Sequence, residues 1–146
     1  MASFMDMALA EARAAGAEGE VPVGCVIVRA GAVVASAGNR TLTDADPTAH
    51  AELLAIRQAA ASLGSERLTE CDLYVTLEPC AMCAAAMAFA RIRRLYYGAA
   101  DPKGGAVESG VRFFASPICH HHPEIYGGMA AAEAAALLKE FFKERR

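Results

Sequence analysis

An apolar, β-branched run over residues 21–28 constrains the fold of this chain more than any other feature. A continuous run of this kind is typical of a strand buried inside a sheet. Gly31 separates it from a second apolar run over residues 32–37, and the pair predicts a β-hairpin. Because the chain has 146 residues, its length favours a single domain.

Helix and strand signals alternate along the rest of the chain. Ser3 and Asp6 form a capping-box pattern at the first helix, Asp46 or Thr48 is predicted to cap the second, and Gly64 to end it. The segments predicted besides the hairpin are helices over 3–15, 48–63, 80–90 and 133–146, strands over 72–77 and 94–98, and an irregular stretch over 101–114. A hairpin followed by βαβ units predicts a mixed sheet with helices on its faces.

Composition and charge exclude several classes of protein. With 55% hydrophobic residues, 21% charged residues and a formal net charge of −3, the chain is neither intrinsically disordered nor basic overall, although a local basic patch is allowed. The most apolar run, residues 84–90, is far shorter than the roughly 20 residues of a membrane span. Asp6 and Glu11 stand where a signal peptide would be apolar, so we expect a cytoplasmic protein without a membrane partner.

Three side chains at two predicted helix starts indicate a metal site. Cys80 and Cys83 are three residues apart, so they share one helical face, and the helix N-terminus favours their thiolate forms. His50 supplies a third ligand from the other helix. Three protein ligands leave one position of a tetrahedral Zn²⁺ open, which is typical of a catalytic site. Glu52 is then predicted to be a proton shuttle beside the metal-bound water and not a ligand.

Less specific interpretations of the same residues stay open at this point. The five cysteines are an odd count that fits poorly with a disulfide framework, but Cys80 and Cys83 could form a redox pair with the C-x-x-C spacing of thioredoxin-like proteins. A structural zinc site would need a fourth ligand, for which the candidates are Cys71, Cys119 and residues 120–122. Glu52 could also be an ordinary solvated helix residue.

The complete H-x-E and P-C-x-x-C pattern matches the zinc deaminase signature. The chain resembles the bacterial tRNA-specific adenosine deaminases, a family of the cytidine deaminase superfamily, from its first helix to its last residue. The matching stretches are residues 20–24, 39–40, 46–52, 73–80, 82–83, 97–99, 101–104 and 141–142. The Thr-Leu-Glu sequence, the Asp-Pro-Lys-Gly loop and the Phe-Phe pair with its basic tail are the more specific parts.

The resemblance implies a three-layer α/β/α cytidine deaminase-like fold with a mixed five-stranded sheet, in one zinc-dependent deaminase domain over residues 1–146. It implies a cytoplasmic homodimer that hydrolyses the wobble adenosine of a tRNA anticodon to inosine and releases ammonia. One Zn²⁺ per chain would be held by His50, Cys80 and Cys83, with Glu52 moving protons.

The resemblance also implies a set of substrate contacts. Asn39, Val23 and the backbone at Ala51 would contact the flipped base. Contacts with the anticodon stem-loop are expected from Asp101, Lys103, Phe142 and Arg145, with one ring of the Phe141–Phe142 pair in the core. We further expect a basic stripe near the site, formed by Arg91, Arg93, Arg94, Lys103, Lys143, Arg145 and Arg146.

Two other functions compete with this expectation. A free nucleobase deaminase acting on guanine or cytosine would share the zinc motif but would not need a basic RNA surface. A zinc-stabilised RNA-binding module would need the ligands but not Glu52.

Overall fold

A five-stranded mixed sheet forms the centre of the computed structural model, which describes residues 2–145. The elements are α1 (Phe4–Ala17), β1 (Gly24–Arg29), β2 (Ala32–Gly38), α2 (Ala51–Leu63), β3 (Cys71–Leu77), α3 (Ala81–Ala90), β4 (Arg94–Ala99), β5 (Glu124–Tyr126) and α4 (Ala131–Glu144), with a 3₁₀ turn at Phe113–Ala115. The strand order is β2-β1-β3-β4-β5. β1 is antiparallel to both of its neighbours, whereas β3, β4 and β5 run parallel.

Helices cover both faces of this sheet, which confirms the three-layer α/β/α architecture. Along β1, Cys25 and Ile27 face a core shared with α2 and α3, whereas Val26 and Val28 face a core shared with α1 and α4. β1 is an interior strand and is therefore buried on both faces, as its apolar sequence predicts. In the described part of the chain, no helix combines the length and the apolar character that crossing a membrane would take.

The predicted cap of α2 is wrong by two to four residues. The Asp46 carboxylate accepts hydrogen bonds from the amide and the hydroxyl of Thr48, at 2.8 and 2.7 Å, and this closes a turn ahead of the helix. Short polar side chains often satisfy nearby backbone groups in this way instead of capping a helix. The helix begins at Ala51 with His50 as its N-cap, while Gly64 ends it in the left-handed conformation as predicted.

Two further differences concern the carboxyl-terminal part. β5 has only three residues and therefore too little periodicity to be recognised in the sequence. The last helix runs from Ala131 to Glu144, and Arg146, which the prediction included, lies outside the described residues.

The first helix packs closely against the sheet at Gly24. A Cβ there would lie 2.6 Å from the amide nitrogen of Ala12 and would also collide with the carbonyl oxygen of Ala8. Both obstacles are backbone atoms of α1, so no side-chain rotation can relieve them.

We therefore expect Gly24→Ala to lower the free energy of unfolding by about 3 kcal/mol. Gly16→Ala is the matched control, because its Cβ would make an ordinary 3.4 Å contact with Pro22 and alanine favours a helix. Urea unfolding of the two zinc-loaded variants measures the difference. Equal stabilities would show that α1 can move away from the sheet at little cost.

Candidate active site

The two predicted ligand segments meet at one edge of the sheet. β2 and β3 are each antiparallel to β1 and therefore run in the same direction. The helices that follow them, α2 and α3, consequently begin at the same edge. His50 is the N-cap of α2 and Cys80 is the N-cap of α3, and neither side chain makes a capping hydrogen bond. Both side chains are thus free to point ahead of their helices.

The ligand atoms lie at distances that fit zinc. His50 Nδ1 is 3.6 Å from Cys80 Sγ and 3.6 Å from Cys83 Sγ, and all three atoms lie within 4.8 Å of one another. Tetrahedral zinc with its usual Zn–N and Zn–S distances requires an N···S separation of about 3.6 Å. The donor set of two sulfurs and one imidazole nitrogen is also a usual one for zinc.

Within residues 2–145, this group of potential ligands has three members. The proposed sources of a fourth ligand lie elsewhere. Cys71 is at the start of β3, the end remote from Cys80. The Cys119 thiol donates to the His121 carbonyl, and the His121 ring contacts the Ile92 carbonyl oxygen at 2.7 Å. The geometry therefore favours an open catalytic site over a closed structural one.

Neighbouring groups set the protonation of the two thiols. The hydrogen bond from Cys83 lowers the pKa of Cys80 to about 4, and His50 contributes in the same direction. Donating that hydrogen bond and being buried both raise the pKa of Cys83. Zinc binds the thiolate form, so a bound cation would displace a proton that Cys83 retains.

Glu52 lies in the first turn of α2 and is only 4% exposed. Burial raises its pKa to about 7, and the nearby Cys80 thiolate acts in the same direction. A carboxyl group with a pKa near neutrality can both accept and donate a proton at working pH. Its burial excludes the interpretation of Glu52 as a solvated helix residue.

A cavity of about 340 Å³ opens beside these groups. Its lining comes from the loops before β1, after β2 and after β4, from the end of β3 and from the starts of both helices. The lining residues are Val21, Val23, Asn39, Thr41, His50, Ala51, Glu52, Leu77, Glu78, Cys80, Asp101 and Gly104. Four of the expected substrate contacts, Val23, Asn39, Ala51 and Asp101, are therefore placed together with Glu52. Thr41 and Leu77 also line the cavity, but sequence reasoning did not single them out.

The other three expected contacts lie outside the cavity. Lys103 is an exposed neighbour of the lining residue Gly104. Arg145 shares a shallow groove with Pro22, which adjoins the lining residues Val21 and Val23. Phe142 is 49% exposed, whereas Phe141 is buried beneath the Arg145 guanidinium, which confirms that one ring of the pair packs in the core.

The predicted basic stripe is wrong for Arg91, Arg93 and Arg94. Arg93 binds the Asp72 carboxylate through two hydrogen bonds of 2.9 and 2.8 Å, and Arg94 pairs with an acidic residue on β5. Arg93 lies just before β4 and Arg94 is its first residue, whereas the other end of this strand leads to the cavity. Arg91 ends α3 at the terminus opposite Cys80, about 15 Å along the helix. These side chains therefore lie at the remote edge of the sheet, which is the end of the strands opposite the cavity.

Comparisons with known proteins agree with this site. A family model described as the cytidine and deoxycytidylate deaminase zinc-binding region matches residues 1–99. A protein named tRNA-specific adenosine deaminase from Agrobacterium fabrum is 63% identical over 143 residues, which are 98% of this chain and 94% of the relative.

Solved structures show the same fold. One from a study of A-to-I editing by tRNA:A34 deaminases at the wobble position of transfer RNA has a TM-score of 0.91 and 64% identity, covering 92% of this chain and 98% of its own. A guanine deaminase from Bacillus subtilis has a TM-score of 0.65 and 42% identity, covering 66% of this chain and 62% of its own.

Proposed function

Because the chain belongs to the cytidine and deoxycytidylate deaminase zinc-binding family, we propose that it is a tRNA-specific adenosine deaminase. Its reaction is the hydrolysis of the wobble adenosine of a tRNA anticodon to inosine, with release of ammonia. The observation that carries this proposal is the buried Glu52 carboxyl beside a three-ligand zinc site in one cavity. The whole chain, residues 1–146, acts as one deaminase domain.

His50, Cys80 and Cys83 hold one Zn²⁺ per chain in this proposal. When bound, zinc lowers the pKa of water to around 7 and so provides a nucleophile at neutral pH. Glu52 accepts the proton of that water at its carboxylate and delivers it to N1 of adenine. The water oxygen bonds to C6, and Glu52 then takes the second proton of that oxygen and delivers it to the amino nitrogen, so that the C6–N bond breaks and ammonia leaves.

The cavity accepts a single nucleobase once that base has left its stack, and an anticodon loop makes this step easy because its bases are unpaired. Asn39 and the backbone of Ala51 face the edge of the base, and Val23 packs against its plane. Asp101 lines the cavity on the loop that follows β4. Lys103, Phe142 and Arg145 contact the stem-loop beyond the target nucleotide.

Incubation of the zinc-loaded protein with an anticodon stem-loop tests the reaction. We expect A-to-I conversion at the wobble position, measured as an A-to-G readout on sequencing. Guanine and cytosine are assayed in parallel, because the guanine deaminase fold is similar. Activity on the free bases alone would replace the tRNA proposal, and RNA binding without any turnover would favour a non-catalytic module.

Three exposed apolar side chains support the proposed homodimer. Phe89 on α3 is 79% exposed, and Val111 and Ile118, on either side of the 3₁₀ turn that packs on α3, are 72% and 71% exposed. A partner chain that covers such side chains removes them from water. Light scattering should give twice 15.3 kDa, and a mass of one chain at assay concentration would contradict the dimer.

Because the proposed substrate is tRNA, we propose the cytoplasm as the protein's location.

Affinity for the stem-loop should fall steeply with salt, since the proposed contacts to phosphate are ionic. The double variant Lys103→Ala and Arg145→Ala should reduce the slope of log affinity against log salt by about one to two. Arg67→Ala is the matched control, because Arg67 lies near the start of β3 at the remote edge. Fluorescence anisotropy measures both slopes. An unchanged slope in the double variant would remove these residues from the RNA surface.

A further inference from the structure

Glu78 is a buried acidic residue that neither holds the metal nor moves a proton in the proposed reaction. It follows β3 directly and precedes Pro79 and the ligand Cys80. Its side chain is among the best buried polar groups of the protein, with 2% exposed. A carboxylate in such a position must be fully hydrogen-bonded, because burial without partners is costly.

Five donors of one loop converge on this carboxylate. Oε1 accepts the amide of Asp101 at 3.0 Å and the hydroxyl of Ser109 at 2.8 Å. Oε2 accepts the amides of Val107, Glu108 and Ser109 at 3.1, 2.9 and 2.8 Å. One side chain thus ties together the two ends of residues 101–109, a stretch with no regular secondary structure.

The same loop has a glycine where the carboxylate needs room. A Cβ on Gly105 would lie 2.5 Å from Glu78 Cδ and 2.6 Å from the carbonyl oxygen of Asp101. Any side chain at this position would therefore push the carboxylate out of its ring of donors. The burial of Glu78, the hydrogen bonds of its carboxylate and the close approach of Gly105 all belong to one contact between the segment before α3 and the loop.

We propose that Glu78 is a positioning residue that holds residues 101–109 in place as the wall of the cavity that receives the RNA. Asp101 and Gly104 of this loop line the cavity, and Lys103 lies between them. The part of this inference that concerns RNA rests on the proposed function. A second loop beside the cavity also has a buried acid, since Glu20 accepts hydrogen bonds from the amides of Leu42 and Thr43, which follow the lining residue Thr41.

Glu78→Gln tests the proposal, because glutamine keeps the size of the side chain but replaces one accepting oxygen with a donor. In the zinc-loaded variant we expect amide hydrogen exchange over residues 101–109 to accelerate about tenfold or more. KM for the anticodon stem-loop should rise about tenfold while kcat stays within about threefold. Zinc content should remain that of the wild type.

Three further variants separate positioning from general stability. Gly105→Ala should reproduce the faster exchange and the higher KM although residue 78 is still a glutamate, because the added Cβ displaces its carboxylate. Glu66→Gln, on an exposed residue, should change nothing. Glu20→Gln should accelerate exchange at residues 42–43 and leave 101–109 protected.

Unchanged exchange over residues 101–109 in Glu78→Gln would overturn the proposal. So would loss of zinc or global unfolding in both Glu78→Gln and Gly105→Ala, because Glu78 would then serve the metal helix or the fold. If the wild type fails to deaminate RNA, the proposed function fails, yet the exchange comparison still decides whether Glu78 holds the loop.

Discussion

Glu52→Gln is expected to lower kcat by about 10²–10⁴-fold, while the protein keeps one zinc per chain and its affinity for the stem-loop. Glutamine is nearly isosteric with glutamate but cannot accept and return a proton. Because Glu52 lies outside the group of three ligands, its replacement leaves the metal site intact. Single-turnover deamination, metal analysis and binding anisotropy on the same preparation separate these effects.

Glu66→Gln is the control for this change, since it removes an exposed carboxylate that does not line the cavity. It should keep full activity. If Glu52→Gln retained more than about a tenth of wild-type kcat, another group would have to move the proton. If it lost its zinc, Glu52 would be part of the metal site and the assignment of its role would be wrong.

The metal site was the most predictable part of the molecule. Few side chains bind zinc, and the spacing of Cys80 and Cys83 limits how they can be arranged on a helix. The spacing of His50 and Glu52 carried a further condition, since residues two apart on a helix diverge. They can serve one centre only if it lies ahead of the first turn, and the N-cap position of His50 satisfies this condition.

The position of that N-cap, which makes the site possible, differs from the one that the sequence predicts. Asp46 and Thr48 have the residue types of helix caps, but they bond to each other instead. The chain reaches the metal centre in an extended conformation at His50 and only then begins the helix. Local propensity gives way here to the requirement that a histidine face a ligand site.

Long-range partners account for the other differences. The arginines after α3 follow the zinc helix in sequence, yet a helix of ten residues carries them to the remote edge of the sheet. The role of Glu78 depends on backbone amides 23 to 31 residues away, which no spacing rule identifies. Contacts of this kind become visible only when the loops are placed in three dimensions.

Cys83→Ser should lower zinc affinity by more than about 100-fold and abolish deamination, since a hydroxyl is a poor replacement for a buried thiolate ligand. The thermal midpoint of the wild type should rise with added zinc, because the folded chain binds the ion, and that of the variant should not. Cys119→Ser is the matched control, since serine can keep the hydrogen bond to the His121 carbonyl. This control should bind one zinc and retain its activity. Zinc loss in Cys119→Ser would instead identify a fourth protein ligand, and a site closed in that way has no open position for the water that the proposed reaction requires.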